Sequence, residues 1–212
     1  MIKNYFQAMI IVVALLFGKS ISVSAQAVHK GSIITDAYYG FPNLFKVTLK
    51  ATYLNGSGNQ DPNLSNIDFG SVGPTGLRAE YMISDKLGIG TDTWYSSTSL
   101  QYDRYDEQDT ATYTDKISFN RFSTLLAFNI HFGDGEKLDI YSSFGVGYAK
   151  RTLKFETTDP NYLGAASTGL TIPISVRIGL GFRYFPIPQV GFSAALGLGG
   201  PLISLGVVGK FL

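Results

Sequence analysis

The 212-residue sequence predicts an all-β fold: an eight-stranded antiparallel transmembrane β-barrel with short turns at one end and longer loops at the other. Three observations carry this. Residues 170–184 place Leu170, Ile172, Ile174, Val176, Ile178, Leu180, Phe182 and Tyr184 at every second position. That apolar alternation runs further than the strand of an ordinary soluble sheet. The intervening positions hold small, polar or basic residues, including Arg177 and Arg183, so the second face is wet or filled with partner charges. Connections elsewhere alternate between short and long, which sorts them to opposite ends of a barrel.

Each strand follows from the same alternation. Residues 31–39 put Ile33, Thr35, Ala37 and Tyr39 outward and Asp36 inward. Residues 76–83 put Leu77, Ala79, Tyr81 and Ile83 outward, with Arg78, Glu80 and Met82 inward. After a turn at 84–86, residues 87–99 set Leu87, Ile89, Thr91, Thr93 and Tyr95 opposite Gly88, Gly90, Asp92 and Trp94. Residues 117–132 turn Phe122, Leu126, Phe128, Ile130 and Phe132 to one side, with Arg121, Asn129 and His131 on the other. The turn at 133–137 leads into 138–155, with Ile140, Phe144, Val146 and Tyr148 outward and Asp139 and Arg151 inward. The strand at 170–184 follows, then a proline turn at 185–188, and strands 189–198 and 202–211 separated by Gly199-Gly200-Pro201. Residues 41–54 admit a short helix, an irregular loop or more strand, with a lean towards helix or irregular structure.

The connections at 84–86, 133–137 and 185–188 are short, whereas those at 40–72, 100–116 and 156–169 are long and polar; only the last connection on the long side, at Gly199-Gly200-Pro201, is short. Barrels of the outer membrane keep short turns on the periplasmic side and loops outside. With that orientation Tyr39, Tyr95 and Tyr148 fall near the outer ends of their strands, and Tyr81, Phe132, Tyr184 and Phe211 near the periplasmic ends. Aromatic rings favour the lipid–water boundary, so two girdles are expected. Tyr and Phe are also good strand formers, so no single placement is informative alone.

The N-terminus reads as an export signal: Lys3, an apolar run over 8–17, Lys19, and small residues up to Ala25. Residues 1–25 are therefore expected to be a cleaved signal peptide and 26–212 the barrel domain. An uncleaved anchor is opposed by the length of that run, which falls short of the roughly twenty residues a spanning helix needs. Removing Lys3 and Lys19 from the 17 basic residues leaves 15 against 16 acidic residues, a formal charge of −1. No basic face for nucleic acid is indicated. Cysteine is absent, which excludes disulfides and thiolate metal sites. Mean hydropathy is only +0.11, as expected when alternate residues meet lipid.

The inward face collects Arg78, Arg121, Arg151, Arg177 and Arg183 against Asp36, Glu80, Asp92 and Asp139. Eight strands enclose a space that side chains fill, so these charges are expected to pair and plug the lumen rather than line a channel. A lipid-modifying enzyme needs a base near the outer leaflet, but His29 precedes the first strand and His131 lies inward at the periplasmic end. The glycines of 145–147 and 179–181 sit in mid-strand without a following helix and relieve crowding rather than cradle phosphate. A secreted lipocalin-type barrel would invert the sorting, with apolar residues inside. No cofactor or metal is expected. The expected partners are outer-membrane lipid, the barrel-insertion machinery during biogenesis, and an extracellular surface met through loop residues such as Tyr102, Arg104, Tyr105, Asp106 and Glu107.

With these strands and turns, residues 26–212 resemble the small eight-stranded outer-membrane barrels of OmpA/OmpX type, and the stretch Gly40-Phe41-Pro42-Asn43-Leu44 resembles barrels of the Bacteroidetes. The resemblance implies a structural, adhesive or surface-interaction role and no catalytic motif. Two departures are expected: no peptidoglycan-binding domain after the barrel, and Leu212 rather than an aromatic as the last residue, with Phe211 penultimate.

Overall fold

A computed structural model describes residues 27–55, 62–132, 135–162, 167–169 and 172–211. The expected signal peptide and Leu212 lie outside these residues. The elements are β1 (Ile33–Phe41), α1 (Leu44–Asn55), β2 (Leu64–Met82), β3 (Leu87–Asp106), β4 (Ala111–His131), β5 (Leu138–Thr157), β6 (Ser167–Gly169), β7 (Ile174–Ile187), β8 (Val190–Leu198) and β9 (Ile203–Phe211). Every strand pairs antiparallel with its neighbours, and β1 closes the sheet by pairing with β9 from Ile33↔Phe211 to Phe41↔Ile203. The short β6 continues the β7 stave along β5, through Thr152↔Gly169 to Lys154↔Ser167, so the barrel has eight staves. Closure leaves no sheet edge with unpaired backbone groups, which is what a lipid environment demands.

The alternation seen in the sequence becomes an inside and an outside. On β1, Ile34, Asp36 and Tyr38 are buried while Ile33 and Tyr39 are exposed. On β7, Ser175, Arg177 and Arg183 are buried, whereas Ile178 is 59% and Leu180 60% exposed. Large apolar side chains thus cover the exterior, and the interior is mostly polar. Its apolar exceptions include a cluster of Ala27, Val28, Ile34, Met82, Phe185 and Val208, which closes the end bearing the short turns. There the Ala27 amide donates to the Gly135 carbonyl at 2.7 Å, and Lys210 Nζ donates to the Ala27 carbonyl at 2.6 Å.

Several boundaries differ from those expected. The strand placed at 170–184 starts at Ile174: Pro173 lacks the N–H that a ladder requires, and Leu170 and Thr171 lie outside the described residues. It ends at Ile187 rather than Tyr184, because Pro186 sits in a bulge between the Tyr184↔Phe192 and Ile187↔Val190 pairs. The segment expected as a loop at 100–116 is mostly ladder, since β3 and β4 stay paired up to Asp106↔Ala111. Likewise β2 begins at Leu64 and β5 runs to Thr157. From Tyr95 to Asp106 the β3 stave adds about 35 Å of strand at the usual rise. The barrel is therefore lopsided, with a tall wall of β2 to β5 and a low rim at β8 and β9.

Residues 44–55 are helical, which decides among the helix, irregular loop and strand that the sequence left open. Asn43 caps α1, its Oδ1 accepting from the Lys46 amide at 3.2 Å. Its Nδ2 donates to the carbonyls of Val72 and Ser97, tying the helix start to β2 and β3. Phe45 stacks on Phe119 at 4.2 Å and Tyr53 meets Tyr102 at 5.8 Å. Phe119 and Tyr102 share the face that carries Arg121 and Leu100, so α1 lies against the inner side of the tall wall, over the barrel mouth.

Candidate functional site: a charged lumen and its outer mouth

Strand register builds the interior. Asp36 lies opposite Arg78 in the β1–β2 ladder, and Arg78 opposite Asp92 in the β2–β3 ladder. The three side chains therefore project to one level. Arg78 Nη1 is 2.9 Å from Asp36 Oδ2, and its Nε is 3.3 Å from Asp92 Oδ2. Arg177 reaches the same Asp92 oxygen through Nη1. Tyr38 donates to Asp92 Oδ1 at 2.7 Å, Ser193 donates to Asp36 Oδ1 at 2.7 Å, and Arg78 Nη2 donates to Ser204 Oγ at 2.9 Å. The Tyr38 ring lies 3.8 Å beneath the Arg78 guanidinium, adding a cation–π contact in a dry setting.

A second level lies nearer the short turns. Asp139 and Arg183 are direct neighbours in the β5–β7 ladder. Arg183 Nη1 is 3.1 Å from Asp139 Oδ2, and Nη2 is 2.7 Å from Glu80 Oε2. His131 completes the ring, with Nδ1 2.7 Å from Asp139 Oδ1 and Nε2 2.8 Å from Glu80 Oε1. Against two ionised carboxylates, both ring nitrogens must donate, which only the doubly protonated imidazole does. Tyr141 packs beneath both cations, 4.1 Å from the Arg183 guanidinium and 5.5 Å from the His131 ring. Arg78, Arg177, Arg183 and His131 then offset Asp36, Glu80, Asp92 and Asp139. The cavity left among these groups is about 20 Å³, room for roughly one water.

Arg121 and Arg151 depart from the expectation that lumen charges pair. They face each other across β4 and β5, and among the described residues neither meets a carboxylate. Arg121 donates to Ser123 Oγ at 3.1 Å, Ser175 Oγ at 3.1 Å and the Gly199 carbonyl at 2.7 Å. Arg151 donates to the carbonyls of Ile172 at 2.8 Å and Ile174 at 3.2 Å. The reason is height: both sit at the level of the low rim, above the acidic residues of the lumen.

Beyond the mouth, Arg104 anchors the tall wall's tip, 3.1 Å from each of Asp106, Asp115 and Asp159. These contacts raise the Arg104 pKa, hydrogen bonding to Asp115 being the first cause. Asp103 is held low by hydrogen bonds from Asn66 and Thr114, and Asp106 by the Gln108 amide and Arg104. Burial beside Tyr53 and Asp115 pushes the Tyr102 phenol up to about 12.

The hydroxyls of Tyr38, Ser193 and Ser204 complete the network but were not among its expected members; small polar residues on an inward face carry no signal until register is known. His131 was expected inward near the periplasmic rim, and the structure makes it a fully enclosed member of the ion-pair ring. Lys210, also inward, caps the Ala27 carbonyl. Tyr39, Tyr95 and Tyr148 stand exposed on the exterior at one height, and Tyr81, Phe132 and Tyr184 near the opposite end. Phe211, opposite Ile33, joins the second set, half-buried. No group of three or more His, Asp or Glu among the described residues is arranged to hold a metal.

No protein-family model matches the chain, and no curated protein matches it. Among solved structures it is similar to the N-terminal β-barrel domain of Pseudomonas aeruginosa OprF, at 16% identity over 87% of this chain and 100% of that one, with a TM-score of 0.44. It is also similar to the attachment invasion locus protein Ail of Yersinia pestis in complex with the heparin analogue sucrose octasulfate, at 13% identity over 86% and 99%, with a TM-score of 0.43. The outer membrane protein OprG of P. aeruginosa is similar at 15% identity over 88% and 99%, with a TM-score of 0.39.

Proposed function

We propose that the chain is an integral outer-membrane barrel of a Gram-negative envelope, exported with a cleaved signal peptide, whose work is structural or surface-interacting rather than catalytic. One observation carries this: the exterior between the two sets of aromatics is a continuous apolar belt, with Leu77 65%, Leu126 46%, Ile178 59% and Leu198 66% exposed. A soluble protein does not leave a patch of that extent uncovered, whereas acyl chains cover it at no cost. The aromatics then form girdles at the two lipid–water boundaries. The ion-paired lumen stiffens the barrel and blocks conduction. The tall wall with α1 against its inner side presents the outer contact surface, its tip braced by the Arg104 ion pairs and open to a partner at exposed residues such as Tyr105 and Glu107.

A secreted ligand-binding barrel is disfavoured by charges inside and aliphatics outside. A lipid-modifying enzyme is disfavoured by His131, whose two nitrogens are both engaged by carboxylates and closed off from any headgroup. Single cysteines test the proposal. A membrane-impermeant maleimide on intact cells labels Glu107→Cys and not Glu136→Cys, and permeabilising the outer membrane exposes the second. Equal labelling of both in intact cells would refute the topology.

A further inference from the structure

Below Trp94 the four acids Asp36, Glu80, Asp92 and Asp139 already have cationic partners in Arg78, Arg177, Arg183 and His131, and Lys210 sits apart at the short-turn end on the Ala27 carbonyl. Arg121 and Arg151 add two positive charges at the outer mouth with no counter-charge among the described residues. The nearest inward acid further out on β4 is Asp115, six residues away and held by Arg104. Asp92, below, is fully engaged by Tyr38, Arg78 and Arg177. Both guanidiniums are instead held by neutral oxygens from β4, from the start of β7 and from the Gly199 turn. Those contacts leave Arg121 Nη1 and Arg151 Nε without an acceptor among the described residues.

Two arginines paired across the ladder, each held by neutral oxygens and each with a spare donor, leave a positive charge that no described residue offsets. Holding like charges together costs energy that a lumen-stiffening role does not recover, since the lower levels already pair completely. Planar guanidinium forks suit tetrahedral oxyanions. We propose that Arg121 and Arg151 form an anion site at the outer mouth that takes a small phosphate or sulfate group from the external medium. Access runs over the low rim, where β8 ends at Leu198 and β9 starts at Ile203. Ser123 and Ser175, both buried, hold Arg121 in place from below. The site lies inside the mouth, away from acyl chains, so its occupant comes from solution rather than from a lipid headgroup.

The molecule carries its own reporter. Its single tryptophan, Trp94, lies 5.4 Å beneath the Arg121 guanidinium, with Arg177 at 6.0 Å. An anion drawing on Arg121 alters the field at the indole. Full-length protein folded in phosphatidylcholine vesicles is titrated with sodium phosphate at constant ionic strength, and Trp94 emission is read. A saturable change is expected, weakened at least tenfold in R121Q/R151Q and retained in R104Q. R151Q alone provides the measurement if the double variant does not fold, because Arg151 touches only rim carbonyls; a severalfold weakening is expected. An absent or non-saturating response in wild type, or equal responses in wild type and the Arg151 variant, would overturn the proposal. So would a response that requires phosphatidylglycerol in the vesicle and is absent with free phosphate. Cysteine labelling remains independent of all these outcomes, so a failed anion site leaves the topology standing and a failed topology is recognised separately.

Discussion

Arg183 reaches across the lumen to Glu80, Nη2 standing 2.7 Å from Oε2, while its Nη1 holds Asp139, its own neighbour in the ladder. One guanidinium thereby ties β7 to β2 on the far side and to β5 beside it. Replacing it with methionine leaves Glu80 and Asp139 sharing only His131. Arg183→Met is expected to lower unfolding stability by about 3–5 kcal/mol, the usual result of orphaning a buried partner. Urea unfolding from vesicles followed by Trp94 emission measures it. A midpoint shift no larger than that of Lys154→Gln, which opens an exposed pair, would contradict the account.

Ile178 lies near the middle of the apolar belt and Ile172 near its outer edge. Arginine at 178 is expected to cost about 2–4 kcal/mol in a bilayer, and at 172 about 0–1 kcal/mol. Comparing the two in vesicle unfolding maps depth directly. Equal costs would mean the exterior does not meet acyl chains.

Gly181 lies where a side chain would strike the Tyr141 ring. Its bareness lets Tyr141 lie flat beneath Arg183 and His131. Gly181→Val is expected to displace that ring, destabilise the fold by about 1–3 kcal/mol through overpacking, and reduce the near-ultraviolet circular dichroism of the tyrosines. Gly135→Val, where the nearest atom to an added Cβ is 3.6 Å away, is expected to leave the spectrum unchanged.

Asp103 and Asp106 titrate below the ordinary carboxylate value, because hydrogen bonds favour their charged forms. Their support of the β3–β4 tip is therefore complete above about pH 4 and is lost as pH falls through the lowered folded values. Amide-exchange protection at 103–115, corrected for intrinsic rates, should stay level from neutral pH to about 4 and decline below it. A decline beginning near pH 6 would implicate another group.

The half of the molecule that carries the apolar belt was legible because an apolar exterior and a charged interior impose opposite demands on alternate residues. Arg78 opposite Asp92 follows from centring the hairpin on the turn at 84–86, and Asp139 opposite Arg183 follows once β5 and β7 are aligned in register. The tall wall was not legible. Along 101–106, Gln, Tyr, Asp, Arg, Tyr and Asp meet water on the outer face and polar partners or the helix on the inner one, so the contrast that marks a strand disappears. Neither could alternation say that Arg121 and Arg151 would find only neutral oxygens. It gives the face a residue occupies and leaves its height relative to the acids to the register.

Asp36 binds Arg78 of β2 through one oxygen and Ser193 of β8 through the other, at 2.9 and 2.7 Å. Those two staves flank the joint where the first and last strands meet. Zipping that joint shut is what brings Ser193 to Asp36, so a cylinder left unsealed would expose an ionised group to its own gap. Chain ends and electrostatics are thus coupled: the β1–β9 seam, wherever in folding it forms, also completes the hydrogen-bonding of this carboxylate.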